Sequence, residues 1–451
     1  MITVNYSGKG EGTLDMNYTL SSLGAAAARG EESMVERVEN LRIHAEDFER
    51  LSGKVKYVTT TERFKDVIKT FNVQKGEIPA GFRVETTLLM DGTLHTDLIR
   101  DISYDKNGMK RPTGVVFSAD SANPYEIEPI APLLGNLTCN PGIIYDLFLN
   151  NPAANVGRKF KTREEVIKEI GRILGPGCDI SVELNNPFER DFEKILDECE
   201  RFKELVSEYR LVVKVPHTGP ITADNVSQLM QGNKRFNGRY DQCSTEAAFM
   251  SHNLALKLRE HGYRVNYTLM FEPYQTALAL QAKPYFINSF IRHRMKQSEI
   301  FKKLTEEFDA TGDERYLTEL RAFMIENDYL PVEETGLKWC YEKAKDIIKY
   351  RKFNEKDGSD GLDSVRHNLK LLRQTKLRDT RLILCSMEGD YNYPDIDRLM
   401  TDPDYEDVIE RVVITAEPKY LARFTSTNQV ISYQRRFMNA VNNDSNVGKM
   451  G

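Results

Sequence analysis

Lys214 is the residue whose chemistry least suits its neighbourhood, because it sits inside the apolar run Leu211-Val212-Val213-Lys214-Val215-Pro216. Burying an ammonium without a partner is costly. Burial disfavours the charged form and is expected to lower the lysine pKa, leaving a neutral amine able to attack a carbonyl. The competing reading is an edge-strand lysine whose head reaches solvent. Polar residues near the ends of neighbouring apolar runs favour the chemical reading. Asp120 ends Val115–Asp120, Asn140 follows Gly135–Cys139 and precedes Pro141, Glu183 lies in Ile180–Leu184, and Asn266 and Thr268 lie in Val265–Phe271. A carboxylate beside a lysine can move protons during carbinolamine formation and dehydration, and a second can hold the relaying water. Singly, Asp120 reads as a helix cap, Asn140 as a turn residue and Glu183 as a surface charge. Those readings do not explain why all of them surround one strand lysine.

The elements that would position these residues form a repeating pattern. Eight short apolar runs recur at Val115–Ala119, Gly135–Cys139, Ile180–Leu184, Leu211–Val215, Val265–Phe271, Tyr285–Phe290, Leu382–Ser386 and Val412–Ala416. Continuous apolar runs suit strands buried on both faces, and eight of them separated by helical stretches predict a closed (β/α)8 barrel of the α/β class. Polar residues at the ends of successive parallel strands would then converge on one mouth. Helices are predicted over Lys161–Leu174, opened by Thr162 with Glu164 and Glu165 behind it, and over Asp191–Tyr209 and Thr245–His261. The connection between the sixth and seventh strands is long, with helices predicted over Lys296–Asp309, Arg315–Glu326 and Gly336–Phe353 before the turn-rich Asn354–Gly361.

Residues 1–110 fall outside this rhythm and predict an N-terminal α+β addition. It would hold one amphipathic helix over Glu31–Leu51, with Met34, Val38, Leu41 and Phe48 on its apolar face, and a hairpin over Phe82–Tyr104 turning at Asp91-Gly92. Gly8-Lys9-Gly10-Glu11-Gly12 lacks the flanking strand and helix of a phosphate loop and reads as a flexible terminus. The expected division is therefore addition over 1–110, barrel over 111–425 and a C-terminal tail over 426–451, polar and frayed from Asn442.

Composition narrows the function classes. The 451 residues are 40% hydrophobic and 29% charged, with net charge −6 and Lys and Arg mixed among Asp and Glu, which points away from nucleic acid. No apolar run has membrane-spanning length and no secretory leader is visible, so a cytoplasmic location is expected. The six cysteines are scattered without a CxxC pair and read as reduced, mostly buried thiols. His252 and His261 share a helix without ligand spacing, so no metal site is expected; His217, after Pro216, is a candidate pocket residue.

Several of these segments also carry a resemblance. Val116–Asp120, then Asn136-Leu137-Thr138-Cys139-Asn140-Pro141, resembles the first two strands of the transaldolases and transaldolase-type class I aldolases. Ser181-Val182-Glu183 and Val213-Lys214-Val215-Pro216 resemble the third and fourth, Asn266–Phe271 with Gln275 and Ala277 the fifth, and Ile287–Arg294 the sixth. The resemblance spans roughly 114–300, extends loosely over 380–425 and leaves 1–110 uncovered. It implies an enzyme without metal or cofactor that moves a dihydroxyacetone unit from a ketose, phosphorylated or not, to an aldehyde. Lys214 would form the Schiff base, Asp120 would act as acid/base, and Glu183 with Thr268 would hold the water. Asn140 and Asn266 would bind substrate hydroxyls, with Thr138, Asn288 and Phe290 beside them. The fructose-6-phosphate aldolase branch carries glutamine where Glu183 stands and tyrosine where Phe290 stands, so the chain is more similar to transaldolases proper.

The chain also departs from the family. Asn288 and His293 stand where it has a serine and an arginine, and Glu388 stands where it has another phosphate-binding basic residue. Arg292 and Arg294 are the candidates to bind an anionic sugar end instead. Two alternatives stay open: an aldolase that releases free dihydroxyacetone or acts on an unphosphorylated sugar, and a catalytically silent barrel with a binding or assembly role. Homo-oligomerisation is possible under either.

Overall fold

The structure, a computed structural model, describes residues 3–6, 14–43, 45–105, 108–351, 361–387 and 392–447. The glycine-rich segment at Gly8–Gly12, the turn-rich Asn354–Asp360 and Glu388 lie outside the described residues.

The N-terminal addition contains strands β1 (Thr3–Tyr6), β2 (Leu14–Thr19), β3 (Ala26–Ala27), β4 (Arg42–Ile43), β5 (Tyr57–Thr60), β6 (Phe82–Leu88) and β7 (Thr93–Arg100). They form a three-stranded sheet in the order β1-β2-β4 and a four-stranded mixed sheet in the order β3-β5-β7-β6. β6 and β7 are the expected hairpin. Asp91 accepts the Thr93 N–H at 2.8 Å, and Gly92 turns the chain at φ +87°. The single helix expected over Glu31–Leu51 is corrected. Two short helices, Glu32–Val38 and Ala45–Leu51, flank β4, which pairs with β2 through Ile43 and Tyr18. A helical apolar period is satisfied either way; the strand partner decides against continuity.

Eight parallel strands then close into the expected barrel. They are β8 (Val116–Asp120), β9 (Leu134–Cys139), β10 (Asp179–Glu183), β11 (Leu211–Pro216), β12 (Val265–Thr268), β13 (Phe286–Phe290), β14 (Arg381–Cys385) and β15 (Val412–Ala416). Each pairs with the next, and β15 pairs with β8 to close the ring. Helices cover the outside. Arg163–Leu174 begins with a capping box in which Thr162 accepts from the Glu165 N–H and the Glu165 carboxylate reaches back to the cap. Between β13 and β14, the helices Ile291–Thr311, Arg315–Glu326 and Leu337–Tyr350 pack on one another around Phe301, Leu320, Met324 and Cys340. A further helix, Asp363–Gln374, was not expected from the sequence, and the tail, expected to fray from Asn442, is helical over Asn428–Val447.

The barrel interior is stratified. Residues in register on parallel neighbours point to the same side, and alternate residues face inward. At the N-terminal end the interior is apolar: Val116, Val212, Phe286, Ile383 and Val413 pack with Ile102, which comes from the segment joining the addition to the barrel and has no exposure. Ile102 thus stops the bottom of the barrel, where a side chain at Gly135 would collide with Val116 and crowd the Ile102 carbonyl. Above it lies a hydrogen-bonded layer: Asn136 donates to Ser118 at 2.9 Å and accepts from Ser181 at 3.2 Å.

The addition is anchored at this same bottom face, opposite the mouth. Asp179, fully buried at the start of β10, receives Arg100 from β7 (Nε–Oδ1 2.8 Å) and Arg264 from the residue before β12 (Nη1–Oδ2 3.0 Å). Arg381 of β14 donates to Asp101 at 2.8 Å and to Ser103 at 2.7 Å. Phe82 and Tyr209 meet edge to face with centroids 5.9 Å apart. Asp179→Ala leaves two guanidinium groups facing each other in a water-poor interface. It is expected to destabilise the protein by about 3–5 kcal/mol in urea unfolding, whereas the exposed Arg50–Glu46 pair, removed as a control, should change stability by less than about 1 kcal/mol.

Candidate active site

The register carries the polar residues to the mouth. Glu183, Lys214 and Asn266 are direct partners across β10, β11 and β12, and Asp120 and Thr138 are partners across β8 and β9. Asn288, two residues above the inward Phe286, joins them from β13. All of them but the fully buried Asn266 line a cleft of about 640 Å3 at the C-terminal end of the barrel.

Lys214 is 7% exposed, and its Nζ lies 3.2 Å from Glu183 Oε2. The edge-strand reading is therefore excluded, because β11 is an interior strand and its lysine points into the barrel. The expected downward pKa shift is also corrected. Burial does push the ammonium down, but the charges of Glu183 and Asp120 outweigh it and the net direction is upward. Glu183 is itself pushed up, by burial first and by Asp120, against the pull of Lys214. Lys214 thus rests as an ammonium beside a carboxylate whose proton affinity burial raises.

The other residues take distinct places. Thr138 Oγ1 donates to Asp120 Oδ1 at 2.7 Å, fixing that carboxylate at the cleft wall. Thr268, buried at the end of β12, lines the cleft beside Lys214 and Glu183. Asn288 Nδ2 donates to Asn266 Oδ1 and to the Tyr267 carbonyl, both at 2.7 Å. That leaves Asn266 Nδ2 without a hydrogen-bond partner, but Asn266 has no exposure and does not line the cleft. Asn140 lines the cleft while its Oδ1 accepts the Ile143 N–H at 2.9 Å, so it is both a turn residue and a cleft residue. Cys385 also lines the cleft, but burial and Asp120 push its thiol pKa up and keep it neutral.

The two arginine candidates separate. Arg292 lines the cleft, and its backbone N–H donates to the Ser386 carbonyl at 2.6 Å. Arg294 does not line it. Its guanidinium is buried and paired with Asp363 at 2.5 Å and Glu272 at 2.6 Å. In its place the sequence reading missed Arg423, which lines the same cleft from the segment after β15 together with Tyr420 and Glu417. The only signal for it is its position just past the last strand end. Two cleft residues, Leu269 and Ser386, hold left-handed backbone at φ +56° and +52°, strain of the kind that gathers at functional sites. Phe290 lines the cleft and packs against Phe271, with centroids 4.6 Å apart. His217 and His293 face an adjoining cleft instead. Among the described residues no group of His, Cys, Asp or Glu is arranged to hold a metal, and no helix is long and apolar enough to cross a membrane.

Removing one partner of the buried pair should cost more than removing both. Glu183→Gln is expected to destabilise the protein by about 3 kcal/mol at neutral pH, and adding Lys214→Met should recover most of that loss in urea unfolding.

What the structure establishes is an eight-stranded parallel barrel with its ionisable residues gathered at one mouth. Neither a protein-family model nor a curated protein matches the chain.

Proposed function

We propose that the protein is a Schiff-base enzyme of the transaldolase type, which cleaves a ketose and transfers its dihydroxyacetone unit to an aldehyde. The observation that carries this reading is the buried Lys214–Glu183 pair at 3.2 Å in a cleft that Asp120 also lines. Glu183 takes a proton from the Lys214 ammonium, and the freed amine attacks the ketose carbonyl to give a carbinolamine. With a water held by Glu183 and Thr268, the carbinolamine loses its hydroxyl as water and becomes an iminium. Asp120, oriented by Thr138, removes the proton from the hydroxyl on the carbon beyond the bond that breaks. The bonding pair flows into the iminium to give an enamine, and the first aldehyde leaves. The enamine then adds to a second aldehyde, and hydrolysis returns Lys214. The amides of Asn140 and Asn288, which line the cleft, suit a substrate rich in hydroxyls. Arg292 and Arg423 supply positive charge for an anionic end if the sugar carries one.

Borohydride added with a ketose donor should leave a reduced adduct that peptide mapping finds at Lys214, and Lys214→Ala should abolish it. Absence of any adduct across several donors overturns the proposal. Dihydroxyacetone accumulating at the full rate without an acceptor would instead identify an aldolase. The pH dependence follows from the raised Glu183 pKa. Trapping needs the Glu183 carboxylate, so it is expected to fall on acidification with a midpoint above 4.5, the ordinary glutamate value. Glu183→Gln should remove that acid limb and slow trapping about a hundredfold, the usual scale for losing one general base.

A further inference from the structure

A second and larger cleft, of about 900 Å3, lies between the barrel mouth and the helices inserted after β13. None of the residues assigned to the chemistry lines it. It adjoins the first: Leu269, held at φ +56°, borders both, and the His217 N–H donates to the Thr268 carbonyl at 3.2 Å, joining a residue of the second lining to one of the first. His217 is three residues beyond Lys214, roughly 10 Å along an extended strand.

The walls are aromatic. Tyr240, Phe271, Tyr274, Tyr329 and Tyr350 line the cleft, and the rings of Tyr274 and Tyr350 stay 73% and 76% exposed although they face it. The floor is charged but balanced. Arg294 and Arg351 meet Glu272, Arg294 also meets Asp363, and Arg351 donates to Gln297 at 2.5 Å. A floor with no net charge does not select an anion; aromatic walls select a flat apolar group. Two buried donor-capable atoms on this lining, Arg351 Nη1 and His217 Nε2, have no hydrogen-bond partner, and the Arg351 side chain is only 4% exposed. Burial also holds His217 near pKa 4, hence neutral at neutral pH.

We propose that this cleft is the subsite for an aromatic acceptor aldehyde, whose ring lies among the tyrosines while its formyl group reaches past Leu269 to the enamine on Lys214. The assignment rests on the Lys214 imine reading. The reaction balances without a further reagent. Dihydroxyacetone on Lys214 loses a carbon-bound proton to become the enamine, and that carbon bonds to the formyl carbon. The formyl oxygen takes a proton, and water hydrolyses the iminium to release an aryl-substituted ketose and the free amine. The sugar-like end of the product matches the first cleft and the aryl end the second.

Two measurements separate the subsite from the chemistry. Trp339, the sole tryptophan, lies under Arg239 at 3.8 Å and near Lys343, which lines the cleft with Tyr240, so its emission reports on the cleft. Hydrocinnamyl alcohol, which has no carbonyl, is expected to change that emission saturably in the Lys214→Ala protein. The double variant Tyr274→Ala/Tyr350→Ala, altered only at exposed rings, should weaken this binding about tenfold. No saturable change up to about 10 mM, or equal binding by the double variant, overturns the subsite whatever Lys214 does. In the wild-type protein with dihydroxyacetone as donor, hydrocinnamaldehyde should be preferred over glyceraldehyde as acceptor, and the double variant should lower that preference about tenfold. An unchanged preference overturns the acceptor assignment. If no acceptor gives product while the alcohol still binds, the imine reading has failed and the aromatic cleft stands.

Discussion

A closed parallel barrel leaves its side chains two directions, and everything else in this protein follows from that constraint. Inward positions recur every second residue, and the register between neighbours levels them into layers. Three layers are filled in three ways: an apolar bottom sealed by Ile102, a hydrogen-bonded middle of Ser118, Asn136 and Ser181, and a charged mouth around Lys214. Shifting β11 by one residue against β10 would turn Lys214 outward and Val213 inward, and Glu183 would face no cation. The reactive arrangement is thus a property of strand pairing before it is a property of any side chain.

The electrostatics of the two ends differ in purpose. At the bottom, Asp179 is saturated by Arg100 and Arg264, so its charge is fully answered and joins the addition to the barrel. At the mouth, Lys214 faces Glu183 and is within the field of Asp120, so one ammonium answers two carboxylates, and both Lys214 and Glu183 hold their protons more tightly than usual. A saturated cluster supports structure. Coupled buried groups with shifted proton affinities are instead the pattern that gathers at functional sites.

Much of this was legible in the sequence, and the reason is local. Strands buried on both faces must be continuous apolar runs, so all eight barrel strands stood out, seven within a residue of their bounds and the fifth ending three residues early at Thr268, and Val412–Ala416 coincides with its run. A lysine inside such a run is conspicuous for the same reason. What was not legible depends on partners far apart in the chain. The pKa direction of Lys214 needs Glu183 and Asp120 at known distances, and burial alone predicts the opposite sign. The commitment of Arg294 to Asp363 and Glu272 joins three separate elements, so the residue looked like an anion binder. The break in Glu31–Leu51 is invisible until β2 supplies a strand for Ile43. Ile102 continues the alternation of Leu94 and Leu98 and so read as part of the hairpin; that it leaves the sheet after Arg100 to seal the barrel needs the barrel itself.

The seam where β15 meets β8 joins the first barrel strand to the last, with nearly the whole barrel sequence between them. Loop-closure entropy makes such a contact slow to form. During synthesis, the strand that completes the ring is the last to leave the ribosome, and until then the sheet has two open edges. Asp101 and Ser103, waiting beside β8, meet Arg381 at the start of β14, the strand next to the seam. The segment that leads into β8, made first, therefore ties the start of β14 to the start of β8 and keeps the gap that β15 must fill narrow.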